Sequence, residues 1–236
     1  MKKPWFLQPF VTLCFAVAII SAVGIWPERP LTLVSAAHPS LPRVPVIDAG
    51  HGGMDGGALS ASGLRESDLN LSVAVKLDML FRFYGIPSVM LRQDDIMLHN
   101  QGGSIRSRKN DDLRNRVRMV NETPGALLIS IHQNTFPQRS VHGAQTFYNK
   151  HGGADVWAEI TQRTLRAALE PNNPRVHKPT PGSLYLYSHV NAPAILVECG
   201  FLSNPAEAAR LERSETQRLL AMAMLSGYLQ YIGKAA

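Results

Sequence analysis

Residues 47–58 have the sequence IDAGHGGMDGGA, in which one histidine, His51, stands among glycines directly after a short apolar run. The run predicts a buried strand, and the histidine follows its end. Glycine lets the backbone turn sharply and leaves room beside the imidazole for a metal ion and a substrate. Most glycine-rich loops are plain turns, so this loop indicates a functional site only if partner residues reach it from elsewhere in the chain.

Short β-branched apolar runs alternate with helical patterns along the chain. Strands are predicted at Val44–Asp48, Ile86–Arg92, Ala126–His132, Ala144–Tyr148 and Ala194–Glu198. Apolar residues at three- and four-residue steps predict helices over Glu66–Tyr84 and Val156–Leu169, a further stripe at Leu113, Val117 and Val120, and a last helix from Ser214 to Ile232. This alternation predicts a single α/β domain over residues 44–233, with a twisted, mainly parallel sheet and helices on both faces.

The N-terminal residues carry a different pattern. Lys2 and Lys3 precede an uncharged apolar run from Phe10 to Trp26, and a proline-rich stretch over residues 27–43 follows. A charged start and an apolar centre predict a membrane segment over residues 1–26, as a signal anchor or a cleaved signal peptide, and then a linker. We therefore expect the domain to work outside the cytoplasm, anchored to the membrane or exported.

Composition narrows the function classes. The net charge is +6, but the basic residues are spread along the chain except around Arg106–Arg118, which we interpret first as a solvated helix face, so no nucleic acid is expected as a partner. Cys14 lies in the apolar N-terminal run and Cys199 stands alone beyond it, so the domain must hold without an intramolecular disulfide. The glycine loop lacks the Gly-Lys-Ser/Thr ending of a P-loop, which argues against a nucleotide site.

Four polar residues are expected at one edge of the predicted sheet. His51 follows the first strand, His132 and Glu198 close two later strands, and Glu66 begins the first helix at the same rim. Two imidazoles and one carboxylate form a known ligand set for catalytic zinc, and the remaining carboxylate is free to act as a general base. We assign the base to Glu198, because burial raises the proton affinity of an acid that follows an apolar strand.

Each of these residues alone has a simpler interpretation. His132 alone is more often a hydrogen-bonded core histidine, Glu66 alone is an ordinary acid of a first helical turn, and their spacing is no local zinc signature. If the four residues converge, the chemistry favours cleavage of an amide, since the amine leaving group needs the proton that a general base takes from water.

Three segments together resemble the zinc-dependent N-acetylmuramoyl-L-alanine amidases of the amidase-3 type. They are residues 48–58, residues 130–134 (SIHQN) and residues 197–204 (VECGFLSN), and the likeness extends from Val44 to Ile232. The resemblance implies that His51, Glu66 and His132 bind one zinc ion and that Glu198 is the catalytic glutamate. It also implies that the substrate is the amide bond between N-acetylmuramic acid and L-alanine in peptidoglycan.

Within that family the chain resembles the CwlD-type amidases of spore-forming bacteria, which have an N-terminal membrane segment and no separate wall-binding module. Their basic insertion is matched by residues 104–117, SIRSRKNDDLRNRV. The likeness implies a task in the spore cortex around the forespore, as a step toward muramic δ-lactam and germination. Whether a regulatory protein partner is needed is left open.

Two further residues are candidate substrate contacts. Asn134 lies two residues past a predicted zinc ligand, and Arg92 follows Leu91 where many relatives have Thr-Arg. For Arg92 and Arg116 a structural or solvated role is the stronger interpretation, and contact with peptide carboxylates is the alternative. Two functional alternatives also stay open: a zinc peptidase or deacetylase acting on another cell-wall amide, and a non-catalytic wall-binding protein with the same fold.

Overall fold

Six strands form one sheet in the computed structural model, which describes residues 43–99 and 102–234. They are β1 (Val44–Ala49), β2 (Val89–Met90), β3 (Ala126–Asn134), β4 (Gln145–Tyr148), β5 (Lys178–Pro179) and β6 (Ala194–Phe201). Their spatial order is β2-β1-β3-β6-β4-β5, with β1, β2, β3 and β6 mutually parallel and β4 antiparallel to β6. The prediction of a single α/β domain with a mainly parallel sheet is confirmed.

Helices cover both faces of this sheet. They are α1 (Glu66–Phe83), α2 (Ile105–Asn121), α3 (Ala154–Leu169), α4 (Tyr185–His189), α5 (Pro205–Leu211) and α6 (Ser214–Lys234). None of the helices within residues 43–99 and 102–234 is both long and apolar enough to span a bilayer. The predicted membrane segment, residues 1–26, and all of the predicted linker except Arg43 lie outside the described residues.

Alternate residues of the central strands point to opposite faces, because side chains alternate along a strand. One face forms the larger core: Ile47, Ile129 and Val197 of the sheet pack with Leu77 and Phe81 of α1, Trp157 of α3 and Tyr228 of α6. The other face is covered by α2 and α4 and forms a smaller cluster that includes Val46, Leu128, Leu196, Val120 and Leu186. By the same alternation, Asp48, His132 and Glu198 belong to this second face.

Several elements differ from the sequence expectations: β5 and α5 were not predicted, and β3 and β6 continue to Asn134 and Phe201. Strand β2 is limited to Val89–Met90 instead of Ile86–Arg92, because Ile86 N–H closes the end of α1 on Phe81 O and Pro87 has no N–H to donate. The last helix continues past Ile232 to Lys234. A short helix, α4, covers Tyr185–His189, where no element was predicted.

Candidate active site

The loop after β1 has an unusual backbone at the predicted ligand. Among the described residues, His51 is the sole non-glycine residue with a positive φ, 62°. This left-handed conformation is uncommon for a residue with a side chain and is maintained only when the surroundings hold it. Gly52 and Gly53 also have positive φ, so the glycines allow the turn that directs His51 into the molecule.

Two buried arginines hold the carbonyl groups of this loop. Arg92 Nε donates to Ala49 O at 2.8 Å and its Nη2 donates to Gly50 O at 3.1 Å. Arg116 Nη2 donates to His51 O at 2.8 Å. Inward-facing carbonyls would otherwise lack partners in the interior, so these guanidinium groups stabilise the loop conformation.

Three predicted metal ligands converge beside this loop. His51 Nε2 lies 3.3 Å from Glu66 Oε2, and His132 Nδ1 lies 2.9 Å from Glu66 Oε1. The two imidazole centroids are 4.9 Å apart, and one ligand atom from each of the three residues lies within 4.8 Å of the others. The ends of β1 and β3 and the first turn of α1 therefore bring together residues that are distant in sequence.

The surroundings leave room for the three side chains and fix their carboxylate. A Cβ on Gly50 would lie 2.2 Å from His132 Nε2, and a Cβ on Gly57 would lie 2.6 Å from Glu66 Oε2. Backbone N–H groups of Ala58 and Gln133 donate to the two oxygens of Glu66 at 2.8 and 3.1 Å. Two nitrogens and one oxygen, in a cradle that a methyl group would fill, are a donor set that would fit a zinc ion.

Glu198 is the direct neighbour of His132 in the register of the parallel strands β3 and β6. Its Oε2 is buried and has no hydrogen-bond partner among the described residues. Burial, assisted by the negative charge of Glu66, raises the pKa of Glu198 to about 7. A carboxyl group with this pKa can take up and release a proton at neutral pH, as a general base and acid must.

The three side chains of this cluster also share charge among themselves. Burial alone would raise the pKa of Glu66, but hydrogen bonds with His132 and His51 hold it well below its ordinary range. Burial alone would lower the pKa of His51, but hydrogen bonds with Asp55 and Glu66 raise it to about 9. A metal ion at this site competes with protons for His51, so its binding should release protons.

A buried ionic network lies directly beneath the site. Arg116 donates from Nη1 to Asp48 Oδ1 and from Nε to Asp112 Oδ2, the latter at 2.7 Å, and Ser130 Oγ donates to Asp48 Oδ2 at 2.6 Å. Sequence reasoning missed this network. Two signals were available: Asp112 and Arg116 are four residues apart on one helix, and a charged Asp48 inside a buried strand requires a partner.

The two candidate substrate contacts lie in different settings. Arg92 is 1% exposed, and its guanidinium donates to backbone carbonyls of residues 49, 50, 67 and 94. Asn134 is half-buried at the end of β3, where its carbonyl accepts from Leu202 N–H at 2.8 Å. Contact of either residue with substrate stays a prediction, and the described contacts of Arg92 are those of a scaffold.

A cleft of about 300 Å³ opens beside His51 and His132, between α2 and α4. Its lining is both charged and apolar and includes Lys109, Leu113, Tyr185 and Leu186. Recognition sites of this kind combine apolar surface with a few polar groups that fix orientation. The cleft therefore leaves His51 and His132 accessible to a ligand that has both polar and apolar groups.

Comparisons with known proteins point to one family. Residues 46–230 match the Amidase_3 family model, described as N-acetylmuramoyl-L-alanine amidase. The chain is 39% identical over 191 residues to the germination-specific N-acetylmuramoyl-L-alanine amidase of Bacillus subtilis (strain 168), covering 80% of this chain and 79% of that protein.

Solved structures of amidases are also similar to this chain. The fold is similar to the CwlD amidase from Clostridioides difficile, solved in complex with the GerS lipoprotein, with a TM-score of 0.78, 33% identity, and coverage of 81% of this chain and 98% of that one. It is also similar to an N-acetylmuramoyl-L-alanine amidase from Clostridium difficile 630, with a TM-score of 0.71, 28% identity, and coverage of 84% and 100%.

Proposed function

Because this chain belongs to the Amidase_3 family of N-acetylmuramoyl-L-alanine amidases, and is therefore a peptidoglycan hydrolase, we propose that it works with one zinc ion held by His51, Glu66 and His132. The observation that carries the proposal is the convergence of three ligand atoms within 4.8 Å in a cradle formed by glycines. When bound, zinc supplies Lewis acidity toward the scissile carbonyl and the attacking water.

The other steps fall to the residues of the chain. Glu198 takes a proton from the attacking water and delivers it to the amine of L-alanine, which cannot leave unprotonated. Its buried, unpartnered Oε2 supports this role, because a carboxylate without hydrogen-bond donors is a stronger base. Glu66 holds both histidines, and the backbone donors on Glu66 keep that arrangement rigid.

The biological setting is part of the same proposal. The germination-specific relative at 39% identity supports a role in germination. We propose that this chain acts on spore cortex peptidoglycan, as a step toward muramic δ-lactam. The structure of CwlD with the GerS lipoprotein supports a regulatory protein partner for this chain as well. We further propose that residues 44–233 are the catalytic domain, and that residues 1–26 direct it across or into the membrane through a linker over residues 27–43.

Product analysis tests the function directly. The full-length protein is incubated with cortex muropeptides, with and without a zinc chelator, and the products are identified by mass spectrometry. We expect free stem peptide, its loss with the chelator, and its return when zinc is added. Release of acetate with the stem attached would indicate a deacetylase, and equal stem release with and without chelator would overturn the zinc mechanism. His51→Ala should lose stem-peptide release, because the substitution removes a proposed zinc ligand. His151→Ala is its matched control and should keep the activity, because His151 is exposed and outside the ligand set.

A further inference from the structure

The glycine loop also supplies a carboxylate, Asp55, that contacts the proposed zinc ligand His51 on the side of its ring away from Glu66. Asp55 Oδ2 lies 2.9 Å from His51 Nδ1, and its other oxygen, Oδ1, accepts from Lys109 Nζ at 2.7 Å. Lys109 belongs to α2, so the contacts Lys109–Asp55 and Asp55–His51 connect this helix to the ligand set. Asp55 is neither in the predicted ligand set nor in the group of ligand atoms described above.

The two nitrogens of His51 have separate partners. Nε2 faces Glu66 and is therefore the nitrogen directed into the ligand set, whereas Nδ1 faces Asp55. If Nδ1 carries the ring proton and donates it to Asp55, the lone pair on Nε2 is free for a metal ion. A carboxylate behind a ligating histidine fixes both the tautomer and the orientation of the ring.

Lys109 holds the carboxylate that performs this task. The Asp55 side chain is 22% exposed, so one histidine contact alone would leave it able to rotate toward solvent. Two exposed ion pairs of α2, Arg118–Glu122 and Arg114–Asp111, join residues only four and three positions apart in sequence. Lys109–Asp55 instead joins the helix to the metal loop across 54 positions.

We propose that Asp55 is a positioning residue for the zinc ligand His51 and that Lys109 fixes Asp55, so that α2 contributes to the affinity of the site for zinc. The inference rests on the zinc site of the proposed function. Since Lys109 acts through Asp55, its removal matters less than the removal of Asp55. Since Asp55 acts through His51, its removal weakens metal binding without removing a ligand.

Zinc affinity is the measurement that tests this chain of contacts. Chelator competition on the full-length protein compares the natural sequence with Asp55→Asn, Lys109→Met and the double variant, and Arg118→Met is the matched control on the same helix. We expect Asp55→Asn to weaken zinc binding by about 10- to 100-fold. Lys109→Met should weaken it by about two- to fivefold, as for a partly exposed ion pair. The double variant should bind zinc like Asp55→Asn alone.

Two further readouts separate positioning from a general structural effect. In the cobalt-loaded protein, Asp55→Asn should shift the ligand-field absorption bands, because the orientation of the His51 ring changes. Thermal unfolding of the metal-free variants measures how much stability the lost contacts of Asp55 account for, and Arg118→Met should change neither readout.

Each failure has its own signature. If the natural protein binds zinc and both single variants bind it equally well, the inference is overturned while the proposed function stands. If the losses in the double variant multiply, Lys109 acts independently of Asp55 and the connection is overturned. If the natural protein cleaves muropeptides but binds no zinc, the zinc site fails, and this inference fails with it.

Discussion

The two faces of the sheet are built from different interactions. The face under α1, α3 and α6 is an apolar core that includes Leu77, Phe81 and Trp157, all fully buried. The face under α2 and α4 has a smaller apolar cluster and buries charged groups beneath the site: Asp48, Arg92, Asp112 and Arg116.

The apolar face therefore mainly stabilises the fold, whereas the polar face mainly positions the loop after β1. Apolar burial stabilises in proportion to the area buried and has no preferred direction. A buried ion pair contributes little net stability because of desolvation, but its hydrogen bonds have fixed directions. The loop after β1 needs such directions, because His51 has a left-handed backbone and its carbonyl faces inward onto Arg116. Three of the four proposed site residues lie on the central strands or directly after one of them. His51 follows β1, and His132 and Glu198 belong to β3 and β6.

The largest expected effect concerns the proposed base on the polar face. Glu198→Gln keeps the size of the side chain but cannot accept a proton, so turnover of muropeptides should fall by about 10²- to 10⁴-fold. Zinc content and unfolding should stay unchanged, since Glu198 is not among the ligand residues. Normal turnover by a folded, zinc-loaded variant would remove Glu198 from this role.

Removing Arg116 should damage both stability and positioning. Arg116→Met leaves Asp48 and Asp112 buried without their partner, which should lower the free energy of unfolding by about 3–5 kcal/mol. The carbonyl of His51 also loses its donor in this variant. The protein that remains folded should therefore bind zinc more weakly. Urea unfolding and chelator competition measure the two effects. A stability loss with unchanged zinc affinity would contradict the positioning role of the polar face.

The apolar face offers the opposite test. Leu77→Ala leaves a cavity between α1 and the sheet and should lower the free energy of unfolding by about 2–5 kcal/mol. Zinc affinity of the folded protein should match that of the natural sequence, because Leu77 belongs to the core cluster on the other side of the sheet. A weakened zinc site in this variant would show that the faces are not independent.

The smallest expected effect is a pH dependence. Burial alone would raise the pKa of Asp48, but the charge of Arg116 holds it below the ordinary value of 3.8. The stabilisation from Asp48 is therefore complete above 3.8 and is lost as the pH falls through the lower folded-state pKa. The stability difference between the natural sequence and Asp48→Asn should narrow on acidification below this value. Urea unfolding of zinc-free protein over a pH series checks this, and a constant difference would contradict it.

The apolar face was largely predictable from the sequence, and the ionic network of the polar face was not. Helix α1 and the central strands follow from local periodicity, and they bring His51, Glu66 and His132 together as predicted. Helix α4 has five residues, too few for a periodic pattern. The pairing of Arg116 with Asp48 could not be predicted, because Asp48 lies 68 positions away and a basic helix normally faces solvent.

The contact between Asp55 and Lys109 was hidden for the same reason. Asp55 lies within the motif that indicated the site, but its role depends on a lysine 54 positions away on another element. Local sequence patterns report which residues turn inward. They do not report which charged side chains meet once the helices have packed.

The most direct test of the account is a crystal structure of the zinc-loaded protein with anomalous diffraction data at the zinc absorption edge. We expect one strong peak at about 2.0–2.2 Å from ligand atoms of His51, Glu66 and His132. A peak at another cluster, such as the pair His142–Glu170, with none among these three residues in active protein, would contradict it.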